Sequence, residues 1–259
     1  VRDKILEKLQ GIQSEHDVKI VYACEAGSRA WGFESSDSDY DVRFIYIRPT
    51  DWYLTINTET RADTIEKGID ENDIDASGWD LRKALGLFRK SNPPLLEWLN
   101  SPIVYVERGL TARMMRDLIP SCYSPCSAAH HYLSMARGNY REYLRGDEVW
   151  LKKYLYVIRP LLAVRWIRMQ LGVAPVAFQT LVDGVVPEAD VKEAISELLV
   201  AKMSGVELGM GPKNERLENF LKNELSIYEN NDVLVDLQKG KSDVNVLNSL
   251  FRQMLKEIS

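Results

Sequence analysis

The sequence predicts an α+β protein, with a small mixed-sheet core over residues 1–120 and an all-helical domain over residues 121–259. Three observations carry this. Runs rich in β-branched and aromatic residues, VKIVYAC (18–24) and DVRFIYI (41–47), crowd the N-terminal part. Between them lies a stretch with the glycines a turn needs, Gly27 and Gly32. Beyond about residue 110 the texture changes to long segments of helical period.

Taken in order, residues 3–14 fit an amphipathic helix with Ile5, Leu6, Leu9 and Ile12 on one side. The two β-rich runs follow, then weaker strand candidates at LTIN (54–57) and DTIEK (63–67). DIDAS (73–77) reads as a short strand with Asp73 and Asp75 on one face. GWDLRKALGLFRK reads as a helix with Asp80 in its first turn, where the macrodipole favours an acid. SNPPLLEWL starts another, with Pro93 and Pro94 at permitted early positions. PIVYVE (102–107) reads as an edge strand, and helical periods recur over 127–145, 147–170, 188–203, 213–229 and 242–257.

Composition narrows the function classes. The chain of 259 residues is 45% hydrophobic and 27% charged, an ordinary globular balance. A formal charge of −5 excludes a generally basic nucleic-acid coat while leaving room for a local basic groove. Cys24, Cys122 and Cys126 form no disulfide framework, which fits a reducing compartment, and the charged VRDKILEKLQ start has no apolar signal core. YLYVIRPLLAVRWI is broken by Arg159 and Arg165 and is too short to span a bilayer. These features point to a cytoplasmic protein.

The stretch GSRAWGFESSDSDYD (27–41) carries the chemistry. It is not a P-loop, because Gly32 is followed by Phe33-Glu34 rather than Lys-Ser/Thr, and it lacks the third glycine of a dinucleotide fingerprint. An EF-hand starting at Asp37 fails at Val42 and Arg48, where glycine and glutamate are required. Asp39 and Asp41, two apart where an apolar strand begins, share a face. Paired carboxylates on a rigid strand suit Mg²⁺, and the Gly27-Ser28 turn can offer N–H groups and a hydroxyl to phosphates. A third carboxylate on a neighbouring strand would complete a two-metal site; Asp75 is the first candidate, with Asp73 and Asp80 behind it. Asp37 reads as a turn residue.

The Gly-Ser pair, ten intervening residues and Asp39-Tyr40-Asp41 before a hydrophobic strand resemble the signature of DNA polymerase β-type nucleotidyltransferases. ACEAGSRAWGFESSDSDYDVRFIY, GWDLRKAL, SNPPLLEWLNSPIVY and KKYLYVIRPLLAVRW together resemble the predicted nucleotidyltransferases associated with RNA-ligase repair pathways, over most of residues 20–180. The resemblance implies a polymerase β-like palm, with the active site in a cleft against the helical domain. It makes Gly27 and Ser28, with Arg29 beside them, the triphosphate-binding turn. It implies that Asp39, Asp41 and Asp75 are catalytic acids holding two Mg²⁺ ions, with Mn²⁺ able to substitute, and that a hydroxyl attacks the α-phosphate of an NTP. Asp73 shares the face of Asp75 and stays open as the third acid.

Residues 137–168 carry Arg137, Arg141, Arg145, Lys152, Lys153, Arg159, Arg165 and Arg168 among Tyr140, Tyr143, Tyr154, Tyr156 and Trp166. This stretch is either a polynucleotide-binding groove or a solvated helix face. Because the helical half closes over the nucleotide in this superfamily, Lys153 and Arg159 are the candidate triphosphate contacts. An RNA end is the expected acceptor and an RNA ligase a pathway partner. Small-molecule acceptors of the aminoglycoside type, protein hydroxyls, and a non-catalytic nucleotide or RNA sensor are the rivals. The spacing of Cys122, Cys126 and His130 reads as half-buried helix-start residues rather than zinc ligands, and Trp31 and Trp98 as packing residues.

Overall fold

The computed structural model describes all residues except 57–61, 206–208, 230–233, 235, 236, 239, 241, 242 and 259. The chain divides into two compact units. One holds Val1–Ala30, Ser38–Tyr123 and the C-terminal helix; the other holds Trp31–Asp37 and Ser124–Gly240.

The first unit begins with α1 (Arg2–His16), β1 (Lys19–Glu25) and the one-turn α2 (Gly27–Trp31), whose last residue falls in the second unit. β2 (Tyr40–Ile47), α3 (Thr50–Tyr53), β3 (Thr64–Lys67) and β4 (Ile74–Asp80) follow. Then come α4 (Leu81–Arg89), α5 (Pro93–Leu99), β5 (Val104–Glu107) and α6 (Thr111–Cys122). Among the described residues the strands form a five-stranded mixed sheet in the order β3-β4-β2-β1-β5. β1 is antiparallel to β2 and β5, whereas β2 and β4 run parallel, with Asp41 opposite Asp75.

Alternation along β2 decides which face each side chain takes. Val42, Phe44 and Tyr46 pack with Ile5, Leu9 and Ile12 of α1. Ile45 and Ile47 point the other way, into a cluster with Leu81, Leu85 and Phe88 of α4, Leu95 and Leu96 of α5, and Met115 of α6. Leu247, Leu250 and Met254 of the C-terminal helix complete that cluster.

The second unit contains α7 (Pro125–Tyr143), β6 (Glu148–Trp150), α8 (Lys153–Arg168), α9 (Phe178–Val185), α10 (Ala189–Met203), β7 (Met210–Pro212) and α11 (Glu215–Ile227); α12 (Val244–Ile258) returns to the first. α8 is buried on nearly every side and packs against α7, α9 and α11. Among the described residues no helix is long and apolar enough to cross a membrane.

Several boundaries differ from the sequence reading. A single helix over 147–170 is interrupted, because Glu148–Trp150 pairs with Met210–Pro212 and buries Val149 between exposed neighbours. β4 runs on to Asp80, which is the N-cap of α4 rather than a first-turn acid: its carboxylate accepts from the N–H of Arg82 at 2.8 Å and from Tyr53 Oη at 2.6 Å. Leu54–Ile56 form no strand, and Asn57 lies outside the described residues. The C-terminal helix, expected within the helical half, belongs to the sheet unit because its apolar face finds α4 and α6 there.

Candidate active site

The site is built where β1 ends and β2 and β4 begin. By alternation Asp41 and Arg43 share the face of Ile45, and Asp75 shares that of Trp79, so all three project from one side of the sheet. Asp41 and Asp75 are directly in register. Adjacent strands lie about 4.8 Å apart, so the two carboxylates would repel without a cation between them. Arg43 supplies one. Its Nη2 donates to Asp41 Oδ1 at 2.8 Å and to Asp75 Oδ2 at 2.7 Å, and its Nη1 to the carbonyl of Asp75 at 3.0 Å.

Asp41 is fixed from two further sides. Its carbonyl accepts from the N–H of Ala26 at 2.8 Å, and its N–H donates to Glu25 Oε1 at 2.7 Å. Glu25 is fully buried and its second oxygen accepts from the hydroxyl of Tyr105. Burial raises the Glu25 carboxyl above the usual range, against the opposing hydrogen bonds from Tyr105 and the Asp41 backbone. Burial likewise raises Asp41; Arg43 opposes the rise, and Asp75 and Asp39 add to it.

Gly27 explains why the turn carries glycine. Its φ is +57°, and a Cβ built there would lie 1.9 Å from Asp41 Oδ2 and 2.8 Å from its Cγ. The backbone of the turn therefore rests directly against the Asp41 carboxylate. Ser28 follows, buried in α2. Arg29 braces the opposite lip: Nη2 donates to the Ser38 carbonyl at 2.6 Å, Nε to that of Asp39 at 3.1 Å, and the guanidinium lies 3.9 Å from the centre of the Tyr40 ring. It thus holds the loop that delivers Asp39 and Asp41.

The remaining residues singled out in the sequence fall as follows. Asp39 is exposed, two residues before Asp41. Asp73 is exposed with φ +57° just before β4, and its carbonyl accepts from the N–H of Tyr40 at 2.7 Å. Asp75, not Asp73, is thus the residue that faces Asp41.

Lys153 and Arg159 belong to the second unit. Lys153 Nζ sits 4.3 Å and 4.8 Å from the ring centres of Tyr143 and Tyr156; burial, then Lys152, lowers its pKa. Arg159 is only 2% exposed, with its guanidinium 4.4 Å from the Trp31 ring centre and Nη2 donating to the Val176 carbonyl at 3.3 Å. The basic stretch 137–168 is not one face: Arg141, Arg145 and Lys152 are exposed, whereas Arg165 is tied to Glu188 and Glu224. Cys122 is buried at the end of α6, and Cys126 lies in the first turn of α7.

Among the described residues no three His, Cys, Asp or Glu side chains converge as a metal cage. The group that does converge is the Asp41–Asp75 pair closed by Arg43. As donors these carboxylates are hard oxygens on rigid strands, which fits Mg²⁺ or Mn²⁺ and not a soft metal. Asp41 and Asp75 are the residues of this pair that could hold it.

Arg43, Glu25 and Tyr105 were missed from sequence. Arg43 had a readable signal, a cation two residues after Asp41 on the same strand face. Glu25 meets Asp41, and Tyr105 meets Glu25, only through the pairing of β1 with β2 and β5, which no local pattern encodes.

Comparison with known proteins places the chain as a whole in a family. A model of the RNA repair pathway DNA polymerase beta family, RlaP, matches residues 1–253. The chain is 42% identical over 259 residues, covering 100% of it and 98% of the relative, to Uncharacterized protein YcgL of Bacillus subtilis (strain 168). A crystal structure of a nucleotidyltransferase-like protein from Exiguobacterium sibiricum 255-15 aligns over 85% of this chain and 76% of that one, at 12% identity and a TM-score of 0.29. On the family match across its length, the chain belongs to the RNA repair pathway DNA polymerase beta family.

Proposed function

We propose that this protein is a metal-dependent nucleotidyltransferase that moves a nucleoside monophosphate from an NTP to the hydroxyl of an RNA end, in the cytoplasm and alongside an RNA ligase. The observation that carries the reading is the in-register pair Asp41 and Asp75 on parallel strands, with the Gly27 backbone against the Asp41 carboxylate. Bound divalent cations, two Mg²⁺ or Mn²⁺, would supply charge neutralisation at the α-phosphate and a lowered pKa for the attacking hydroxyl. The chain's own contribution is positional. Glu25 and Ala26 fix the backbone of Asp41, and Arg29 fixes the loop that presents Asp39. Gly27 and Ser28 place a close-approach turn where phosphates can reach N–H groups. RNA is the favoured acceptor because the family is one of RNA repair pathways.

The test is incubation with Mg²⁺, each labelled NTP and a short single-stranded RNA, read on a denaturing gel. Extended RNA is expected, and Asp41→Asn should abolish it while circular dichroism shows a folded chain. Extension by Asp41→Asn at the wild-type rate would sink the proposal. Nucleotide turnover without RNA extension would move the acceptor to a small molecule or a protein.

A further inference from the structure

Arg43 does more in this site than a surface ion pair requires. Its Nη2 takes one oxygen from each acid, Asp41 Oδ1 and Asp75 Oδ2, so one cationic nitrogen bridges two carboxylates on adjacent strands. Its Nη1 reaches the carbonyls of Asp75 and Val42 at 3.0 and 3.2 Å, so every contact is directed at the start of β2 and β4. A divalent cation held by these acids would supply the same charge neutralisation. The Arg43 side chain is 19% exposed, and those of Asp41 and Asp75 are 31% and 30% exposed, so the cluster is open to solvent.

We propose that Arg43 is a positioning residue that stands in for the divalent cation, bridging Asp41 and Asp75 in the metal-free protein and giving up that bridge when metal loads. The inference rests on the metal reading of the site given above. The bridge offsets the Coulomb repulsion between the two acids, whose backbones are held in place by the β2–β4 pairing and by Ala26 and Glu25. It also means that metal must compete with an internal cation. Loading is then slower and weaker than the bare acids would allow, and the geometry is ready when it occurs. A merely structural Arg43 makes a different prediction, since losing it would disorder the acids and weaken metal binding.

The experiment measures Mn²⁺ binding by the electron paramagnetic resonance signal of free Mn²⁺, on wild type, Arg43→Gln, Arg43→Lys and the double variant Asp41→Asn/Asp75→Asn. Arg43→Gln should bind Mn²⁺ about tenfold more tightly than wild type, because a positive charge leaves the immediate surroundings of the ion. Without metal, its melting temperature should fall by about 3–6 °C, and saturating Mn²⁺ should raise it by more than it raises wild type. Arg43→Lys keeps the charge but loses the second nitrogen that holds the Asp75 and Val42 carbonyls, so it should fall between the two and serve if Arg43→Gln does not fold. If wild type binds Mn²⁺ and the double aspartate variant does not, yet neither arginine variant binds more tightly, the stand-in role is wrong and the metal reading survives. If no form binds Mn²⁺, both fall together.

Discussion

Gly27→Ala offers a direct probe of the contact between the turn and the acid. The substitution carries two separable costs. An L-residue at φ +57° pays about 1–2 kcal/mol for the left-handed conformation. The new methyl would also sit 1.9 Å from Asp41 Oδ2. A relaxed carbon–oxygen contact is about 3.3 Å, so the carboxylate must retreat by more than about 1 Å. That breaks its 2.8 Å bond from Arg43, a charge-assisted contact worth about 1.5 kcal/mol. The total is about 3 kcal/mol, or a melting temperature lowered by about 6–12 °C in a chain of this size. Gly32→Ala is the internal control: φ is +83° but nothing lies within 4 Å of its Cβ, so only the backbone cost applies, about 2–8 °C. The assay pairs thermal melts with single-turnover nucleotidyl transfer, where a displaced acid should slow Gly27→Ala about 100-fold and leave Gly32→Ala within about threefold. Equal losses in the two variants, in both stability and rate, would refute the claim that the turn shapes Asp41.

Three further predictions concern the second unit. Glu218 is buried; burial raises its pKa, but the hydrogen bonds from Tyr140 and Lys222 and the charge of Lys213 outweigh it and hold the folded value below the usual range. A depressed carboxylate stabilises above its unfolded pKa, about 4.3, and loses that contribution as pH falls through the folded value. Glu218→Gln should therefore melt lower than wild type at pH 7, and the gap should close below about pH 4; a gap independent of pH would contradict the sign. Lys153→Ala should lower the melting temperature by about 1–4 °C, since the ammonium contacts with Tyr143 and Tyr156 are lost. Arg159→Lys should also lower it, since the guanidinium contact with Trp31 is lost; an unchanged melt in either variant would overturn the respective assignment.

Much of the site was legible because its chemistry is local. Asp39 and Asp41 are two apart before an apolar run, and Gly27-Ser28 stands at a fixed distance upstream, all within one short stretch. Asp75 could be placed on a strand from DIDAS and put ahead of Asp73, which alternation along that strand sets on the same face; the parallel register of β2 and β4 is what sets it opposite Asp41. Arg159 shows what local pattern leaves out. A cation within a helical run gives no sign of its burial, yet α8 is buried on nearly every side, and the guanidinium is accommodated by Trp31 and the Val176 carbonyl. The short β6–β7 ribbon was invisible because three-residue strands leave no periodicity to detect.

The return of α12 to the sheet unit has a consequence for how this chain acquires its fold during synthesis. Leu247, Leu250 and Met254 close a cluster whose other members, from Val21 to Cys122, leave the ribosome much earlier. The whole α7–α11 unit is made in between. The early segment must therefore wait, with the α4 and α6 surfaces uncovered, while residues 124–240 emerge and fold. At about 5–20 residues per second that interval lasts several seconds, long compared with helix formation or collapse. Nascent chains stalled before Leu247 should consequently expose apolar surface to chaperones, and release of the last helix should end that exposure in one cooperative step.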